Sequence, residues 1–578
     1  MDSRSAAHVL NQIGRLLQLK GEQRFKAKAY QGAARALIAL DTDDLGPLLR
    51  SGELADTPGI GPATLSVVRD LVETGESRYL NQLSEGMPSG MVDLMRVPGL
   101  NAEKIQLIHG ELGVNTLEDL ERVAQNGELE KLPKFGKKTA EKILRGIEIV
   151  RRDAHLQRFP AAIVQAHMLS VNVDRHPDVE HAEIAGSIRR HNELVADIDI
   201  VAECSKDPVK VAESFARSPG VRDVNTREND PASLHIRFVD GTHLDMHCVT
   251  KADYPVALWR ATGNSTHVDE MRELAKSRGF EIRGNSLIGP NGKKIALKDE
   301  DAFFTALGLV PIPAEMREGM GEIDASARGA MPNLVVYEDV RGILHCHSDY
   351  SDGVATIEEL VEGAIERGWE YIGISDHSES AFYARGLKRD RLLRQHEEID
   401  EINSRLKGFR ILKGIEADIL ADGRVDYDSD ILDTFDFVIG SIHSRFSMDG
   451  DAMTKRVLAA LDDPHLTILA HPTGRLLLSR EPYALDVEAV LEKAVAVGVS
   501  VELNCDPHRL DLDWRYCRQA KELGVTIEIG PDAHSVPALD NVHFGIGLAR
   551  KAWLEAGEIL NTRSADEITA FARNRRNK

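Results

Sequence analysis

Two histidines separated by one residue follow a short apolar run in the second half of the chain. The run is Gly342-Ile343-Leu344, and His345 and His347 come directly after it. In an extended segment, residues i and i+2 project to the same face, so both imidazoles can reach one metal ion. A turn-like YSDG and a helical stretch lead to a second apolar run, which ends in Asp376 and His377. This spacing predicts alternating strands and helices with metal-binding side chains at the strand ends.

The same arrangement recurs towards the end of the chain, where further apolar runs lead to histidines and carboxylates. A lone histidine at a strand end is usually structural, but repetition across nearly the whole region favours a metal site. Strands that alternate with helices also favour a parallel α/β barrel over residues 338–578. The additional candidates are Glu416, Asp418, His443, His471, Asp506, His508, Asp532 and His534.

The chain is too long for one hydrophobic core, because 578 residues predict three or more domains. No run of 18 apolar residues occurs and the start lacks a secretory signal, so we expect no membrane span. The five cysteines lack paired spacing, which predicts a reducing cytoplasm and neither zinc fingers nor disulfides. The net charge of -22 argues against nucleic-acid binding, but local basic patches decide DNA affinity in a multidomain chain.

Three Pro/Gly turns in the first 140 residues each precede a predicted helix. Such turns can aim backbone N–H groups at a phosphate, and the helix dipole favours a negative charge there. One turn would be weak evidence, but three resemble helix-hairpin-helix clamps on the DNA backbone, and lysines add positive charge to the third. The residues that we expect to contact DNA are Gly59, Gly61, Gly99, Lys134, Gly136, Lys137 and Lys138.

Three aspartates lie on neighbouring predicted strands in the middle of the chain. Asp197 and Asp199 project from one face of one strand, and Asp245 lies on the second strand of a predicted hairpin. Clustered carboxylates repel one another unless a divalent cation holds them, so the pattern predicts Mg²⁺ or Mn²⁺. Two such ions can bind the phosphates of a nucleotide and activate a sugar hydroxyl. An exposed strand edge that carries acids is the alternative.

The stretch GSIRRHNELVADIDIVAEC, with the later HLDMHC, resembles the palm of family X DNA polymerases and the wider nucleotidyltransferase superfamily. The resemblance implies that Asp197, Asp199 and Asp245 are catalytic and bind two metals, and that Gly186, Ser187 and Arg190 hold the incoming triphosphate. It also implies an order of domains. They are a helical DNA-binding domain over residues 1–85, fingers over 86–150, a palm over 151–255 and a thumb over 256–320. The Gly/Ala-rich composition of residues 321–337 predicts a linker there.

The sequence departs from the family pattern around the nucleotide. Two glycines, an aromatic pair, an arginine and a serine of the family's motifs are replaced. A glycine lets a backbone approach phosphate closely, so these changes affect the predicted pocket directly. The positions are His191, Ala196, His247, Arg260, Ala261 and Asn264.

Residues 338–578 resemble the PHP (polymerase and histidinol phosphatase) domain, in the version fused to bacterial family X polymerases. The motifs HCHSDYSDG, NCDPHRLDLDWRYCRQAKELGV and PDAHS carry the match. The resemblance implies a distorted (β/α)7 barrel with up to three Mn²⁺, Zn²⁺ or Fe ions. The implied ligand sets are His345, His347, Glu416 and Asp532 for one ion, Glu416, His443 and His471 for a second, and Asp352, His377 and His534 for a third.

Together these resemblances imply a DNA-repair enzyme that fills gaps from deoxynucleoside triphosphates and degrades 3' ends with its PHP domain. We expect a cytoplasmic monomer that binds gapped or nicked DNA and no membrane. One alternative is an end-processing nuclease whose impaired polymerase half mainly holds DNA. Another is a small-molecule phosphoesterase, against which the three turns argue, since a small substrate needs no grip on a DNA backbone.

Overall fold

The chain folds into two compact units, of which one spans residues 1–155 with 478–480 and the other spans 156–477 with 481–578. In the described residues no helix is both long enough and apolar enough to cross a bilayer. The computed structural model describes residues 3–20, 24–40, 45–75, 77–84, 91–95, 97–153, 155–218, 220–227, 230–238 and 241–576.

The first unit is built from short helices around two apolar cores. Leu10, Leu17 and Leu37 belong to one core, and Ile105 and Ile143 belong to the other. Apolar residues that recur at helical spacing place one side of each helix in its core. The α-helices are Ser3–Leu19, Arg24–Leu40, Gly46–Ser51, Glu53–Asp56, Pro62–Thr74, Arg78–Ser84, Met91–Leu94, Ala102–Leu112, Leu117–Gln125 and Lys137–Arg152.

The three predicted turns share one backbone geometry. Gly59, Gly99 and Lys134 occupy equivalent positions with φ of 91°, 88° and 72°. In each turn the next residue donates a backbone hydrogen bond of 3.1–3.2 Å to the carbonyl three residues before it. The residue after that has an extended backbone and is the N-cap of the following helix. Lys134 adopts the left-handed conformation that glycine supplies in the other two turns.

A five-stranded sheet forms the palm of the second unit. Strand Ile198–Cys204 runs parallel to His243–Thr250, and this register sets Asp199 directly opposite Asp245. Helices Phe159–Asp174 and Pro208–Phe215 bury apolar side chains in the same core as the sheet. In spatial order the strands are Val179–Ile184, Ile198–Cys204, His243–Thr250, Asp230–Phe238 and Val221–Arg227.

The thumb packs around Trp259, Met271 and Phe303. The segment predicted as a linker contains helix Glu322–Ala327, and Ile323 of this helix packs in the thumb core. The thumb elements are helices Tyr254–Thr262, Ser265–Ser277 and Glu300–Ala306, with the hairpin Glu281–Arg283 and Ser286–Ile288.

The predicted α/β barrel is confirmed over residues 342–533, which the structure describes without a gap. Parallel pairing joins consecutive strands, and a parallel bridge from Cys346 to Ala533 links the last strand to the first. Strands such as Tyr371–Ile374 are buried throughout, as expected where helices cover a parallel sheet. The strands are Gly342–Ile343, Tyr371–Ile374, Arg410–Lys413 continued by Glu416–Asp418, Val438–Ser441, Leu466–Leu469, Ser500–Asn504 and Ile527–Gly530.

Helices follow most of these strands and connect them across the outside of the barrel. Because each strand enters the barrel in the same direction, all the strand ends that carry predicted ligands meet at one end. The helices are Ile357–Glu366, Arg389–Arg405, Ser429–Leu432, Gly450–Leu461, Val487–Val497, Trp514–Leu523, Val542–Lys551 and Ala565–Arg576.

Candidate active sites

The structure brings together the nine side chains of the three implied ligand sets, whereas the other strand-end candidates, Asp376, Asp418, Asp506 and His508, belong to none of the groups below. Within three groups, potential ligand atoms all lie within 4.8 Å of one another. The remaining predicted ligand, His471, has its Nε2 3.0 Å from Glu416 Oε1. His347 and His377 each belong to two groups, so the division of ligands among ions stays a prediction. The groups are His347, Asp352, His377 and His534; His345, His347 and Asp532; and His377, Glu416 and His443.

Glu416 lies at the centre of this cluster. Its Oε1 is 3.3 Å from His443 Nε2, and its Oε2 is 2.8 Å from His377 Nδ1 and 3.6 Å from His347 Nε2. Burial alone would raise the pKa of this carboxyl, but the neighbouring histidines hold the pKa well below its usual range. A carboxylate that touches several imidazoles is suited to bridge two cations.

Hydrogen bonds on the far side of three rings orient the histidines. His345 Nδ1 lies 2.5 Å from Glu502 Oε1, and His443 Nδ1 lies 2.7 Å from Asp418 Oδ1. His534 Nδ1 lies 2.8 Å from the backbone carbonyl of Asp532. Each contact places the ring proton on Nδ1 and leaves the Nε2 lone pair directed into the cluster.

The polar atoms at the centre fit a metal site. In the part of the chain that the structure describes, His345 Nε2 and both ring nitrogens of His347 are buried without a hydrogen-bond partner. Unpaired buried polar atoms are costly, and divalent cations would satisfy them. The mixture of imidazole and carboxylate donors suits Mn²⁺, Zn²⁺ or Fe.

Sequence reasoning did not assign Glu502 or Asp418 their orienting positions. Glu502 is fully buried in strand Ser500–Asn504. An acidic residue among the apolar residues of a predicted buried strand was the feature that could have indicated its role. Asp376, in contrast, lies beside the ligand cluster but accepts hydrogen bonds from Ser348, Ser351 and Gln395. It therefore holds the loop that follows His347.

Replacing Glu502 with glutamine is expected to weaken binding of at least one Mn²⁺ ion about 10- to 100-fold, as is usual when a carboxylate behind a metal-binding histidine is lost. The neutral side chain keeps the shape but removes the negative charge that favours the Nδ1–H tautomer of His345. Calorimetric titration of chelator-treated protein with Mn²⁺ measures the effect. Glu492→Gln is the matched control, because that carboxylate is exposed on the helix Val487–Val497. Equal Mn²⁺ affinity in both variants would contradict the orienting role.

The palm places its three predicted carboxylates on adjacent strands. Asp199 faces Asp245 across the parallel pair, and Asp197 immediately precedes strand Ile198–Cys204. Burial, followed by the charge of Asp245, raises the pKa of Asp197. Gly186 has φ of 62°, and a Cβ there would collide with the Asp199 carboxylate. The turn therefore requires glycine, because its backbone lies directly against a predicted catalytic group.

Two further palm side chains, His235 and Ser187, lie near these carboxylates or in the turn that packs against them. His235 Nδ1 lies 2.6 Å from Asp245 Oδ1, a contact that sequence reasoning missed. Ser187, predicted to hold the triphosphate, has a buried hydroxyl without a hydrogen-bond partner among the described residues. Because Ser187 directly follows Gly186, this unpaired hydroxyl lies in the turn that packs against Asp199.

Arg190, the third residue predicted to hold the triphosphate, is tied to the thumb. Its Nε donates to Glu318 Oε1 over 2.8 Å, and its Nη1 donates to the Thr262 carbonyl over 2.6 Å. Lys551, from the barrel, donates to the Arg190 carbonyl over 3.0 Å and also contacts Glu318. A palm loop, the thumb and the barrel therefore share one buried ionic cluster.

Two of the residues that depart from the polymerase pattern, His191 and Asn264, lie where the palm, the thumb and the barrel meet. The His191 ring stacks on Phe159 with centroids 4.9 Å apart, and it lies where a Cβ on Gly547 of the barrel would fall. Asn264 caps helix Ser265–Ser277 and donates to Glu318 Oε2 over 3.1 Å. These two replacements therefore serve the packing between palm, thumb and barrel.

The remaining departures lie elsewhere. His247 is buried with its Nδ1 3.0 Å from Ser233 Oγ, and Arg260 donates to the Gly284 carbonyl over 3.2 Å. Ala196 and Ala261 are half-buried. Ala261 packs against a small apolar cluster that includes Val201 and Leu258. Nothing in the structure explains Ala196.

Replacing Lys551 with methionine is expected to lower the free energy of unfolding of the second unit by about 3–5 kcal/mol, because it leaves part of a buried ion cluster unpaired. It is also expected to raise KM for deoxynucleoside triphosphates, since the Arg190 loop loses its support, and to leave exonuclease activity intact. Denaturant unfolding and single-nucleotide extension measure the two effects. Lys493→Met serves as control, because Lys493 pairs with Asp462 within the barrel. Unchanged KM and stability would show that the ionic cluster contributes nothing.

The predicted DNA contacts of the first unit lie at helix starts. Lys137 and Lys138 are exposed and begin helix Lys137–Arg152 directly after Gly136. Lys134 pairs with Glu103 over 2.7 Å, and both side chains are more than half exposed. A phosphate could exchange with this exposed ion pair at little cost. The DNA-binding roles of these residues stay predictions.

Family models match four parts of the chain. A helix-hairpin-helix domain matches residues 1–77, and a SAM-like helix-hairpin-helix tandem matches residues 91–148. A DNA polymerase beta thumb matches residues 257–318, and a PHP domain matches residues 344–476. The matches agree with the predicted order of helical, thumb and barrel regions.

Curated relatives extend this likeness over the whole chain. A Bacillus subtilis protein described as "DNA polymerase/3'-5' exonuclease PolX" is 35% identical over 574 residues, which cover 99% of each chain. A "Probable phosphatase" of Caldanaerobacter subterraneus subsp. tengcongensis is 28% identical over 251 residues, which cover 40% of this chain and 91% of the relative. A "Probable phosphatase" of Syntrophotalea carbinolica is 31% identical over 165 residues, which cover 28% of this chain and 64% of the relative.

Proposed function

Because this chain belongs to the PolX family of DNA polymerases with 3'-5' exonuclease activity, we propose that its two activities reside in the two centres described above. The palm carboxylates Asp197, Asp199 and Asp245 serve nucleotide addition. The nine-residue cluster of the barrel serves hydrolysis at 3' ends. The observation that carries this assignment is the convergence of nine metal-type ligands, eight in three groups and His471 beside Glu416, at one end of the barrel and separate from the palm sheet.

The residues of each centre have distinct tasks in this proposal. Mg²⁺ or Mn²⁺ at the palm, and Mn²⁺, Zn²⁺ or Fe at the barrel, would supply Lewis acidity for phosphoryl chemistry. Gly186 and Ser187 present a close backbone and a free hydroxyl to a triphosphate. The three turns of the first unit hold the DNA backbone, with Gly59, Gly61, Gly99 and Gly136 allowing close approach. Gapped duplex DNA in the cytoplasm is the substrate, bound by a monomer.

Extension and shortening of one labelled primer test the proposal. On a one-nucleotide gap with Mn²⁺ and deoxynucleoside triphosphates, we expect the wild-type protein to add one nucleotide. Without nucleotides, we expect the same primer to become shorter from its 3' end. Chelation should stop both reactions.

The same assay separates the alternatives. Shortening without extension under any divalent ion would support a nuclease whose palm mainly holds DNA. Hydrolysis of histidinol phosphate in the absence of any change in the primer would support a small-molecule phosphoesterase. Extension without shortening would remove the hydrolytic role of the barrel.

A further inference from the structure

Exposed apolar side chains are concentrated at the mouth of the barrel centre. Among the described residues after 156, the three most exposed large apolar side chains are Phe382 at 85%, Val354 at 78% and Tyr383 at 60%. Val354 follows Asp352 by two residues, and its backbone N–H donates to the His534 carbonyl over 2.9 Å. Exposed apolar surface that borders a metal cluster is typical of a ligand-binding surface.

The two aromatic rings lie next to the metal-binding histidines. The Tyr383 ring is 6.1 Å from the His377 ring and 6.0 Å from the His443 ring, measured between centroids. Phe382 meets Tyr383 edge to face at 6.4 Å. A group bound on these rings would therefore lie immediately beside a phosphodiester at the cluster.

The segment that carries the rings is firmly anchored. Ala381, Ala384 and Leu387 are buried, so the short helix Phe382–Ala384 directs only its two rings outward. The Leu387 N–H donates to the His377 carbonyl over 2.8 Å, and the Ser378 N–H donates to the Glu416 carbonyl over 3.0 Å. The backbone of two predicted ligands thus positions the aromatic pair.

We propose that Phe382 and Tyr383 form a nucleobase-binding subsite of the exonuclease centre, on which bases at a single-stranded 3' end stack. This inference rests on the hydrolytic role of the barrel. Every nucleobase has a flat π-face, so stacking accepts any sequence, as removal of successive nucleotides requires. The exposure of both rings matches a partner that leaves after each cleavage.

Paired oligodeoxynucleotides test the subsite. One substrate ends in an ordinary 3' nucleotide, and the other has an abasic tetrahydrofuran residue at that position. We expect the KM of the wild-type protein to be about 5- to 150-fold higher for the abasic end than for the ordinary end, which is the range that the loss of one base–aromatic stack produces. In the Phe382→Ala/Tyr383→Ala variant, KM for the two ends should become equal.

Three controls keep the result decisive. Phe382→Trp should retain the preference for a base, and Tyr516→Ala should behave as wild type, because Tyr516 is an exposed ring on the outer helix Trp514–Leu523. Metal content is measured in each variant. An unchanged preference in the double alanine variant would overturn the proposal, as would a loss of bound metal that explains its lower activity. If wild-type protein cut neither end, the hydrolytic role itself would fail.

Discussion

Replacing Glu416 with glutamine is expected to lower the rate of 3' end hydrolysis about 10³-fold. Metal ions stabilise developing charge by several kcal/mol, and each 1.36 kcal/mol changes a rate about tenfold. Glu416 lies within 3.6 Å of five of the six histidines in the cluster, so an uncharged side chain there weakens more than one ion position at once. The rate of release of the terminal nucleotide from single-stranded DNA, at a Mn²⁺ concentration that just saturates the wild-type protein, measures the loss.

Primer extension by the same Glu416→Gln protein should remain at the wild-type rate, since the palm sheet lies outside the cluster. Glu398→Gln is a matched control, because Glu398 is a partly buried acid of the barrel that accepts a hydrogen bond from the Tyr350 hydroxyl over 2.7 Å. A Glu416→Gln variant that hydrolyses DNA within tenfold of wild type would place the chemistry elsewhere.

Replacing Asp199 with asparagine is expected to lower primer extension on a one-nucleotide gap about 10³-fold, again because a metal-binding charge is removed. The asparagine fits the same space, which matters because Gly186 packs directly against this side chain. Single-turnover extension in Mg²⁺ measures the rate of the chemical step. Hydrolysis of 3' ends should be unaffected.

Asp223→Asn is the control for this prediction, because Asp223 lies on the edge strand Val221–Arg227 of the same sheet with an exposed side chain. It should extend primers at the wild-type rate. Extension by Asp199→Asn at the rate of this control would exclude the palm carboxylates from catalysis.

The positions of the barrel ligands could be predicted from sequence because two simple rules of β-structure apply there. Alternation along a strand puts His345 and His347 on one face, and parallel strands bring all their carboxyl ends to one edge. Asp199 and Asp245 follow the same logic in the palm. In both centres, the local sequence pattern was sufficient because the ligands lie on or directly after regular strands, whose geometry fixes where the side chains point.

Contacts between regions could not be predicted in this way. Lys551 ends a helix, where a basic residue is explained by the helix dipole alone, and its partner Arg190 is 361 positions away. From the sequence, His191 was interpreted as a change in the nucleotide pocket. The sequence around His191 does not reveal that Gly547 of the barrel packs against its ring. Glu502 was recognisable as an acid within a buried strand, but the ring that it orients depends on how strands far apart in the sequence are arranged around the barrel.

The buried ionic cluster around Lys551 bears on how truncated forms of this protein should be interpreted. A shortened chain that ends before the barrel would keep Arg190 and Glu318 but lose the lysine between them. It would also uncover Phe159, whose ring meets Phe544 of the barrel edge to face. Weak nucleotide addition by such a fragment would then reflect a loosened palm loop, and would say little about whether hydrolysis assists synthesis. Point substitutions at Glu416 separate the two activities without creating that defect.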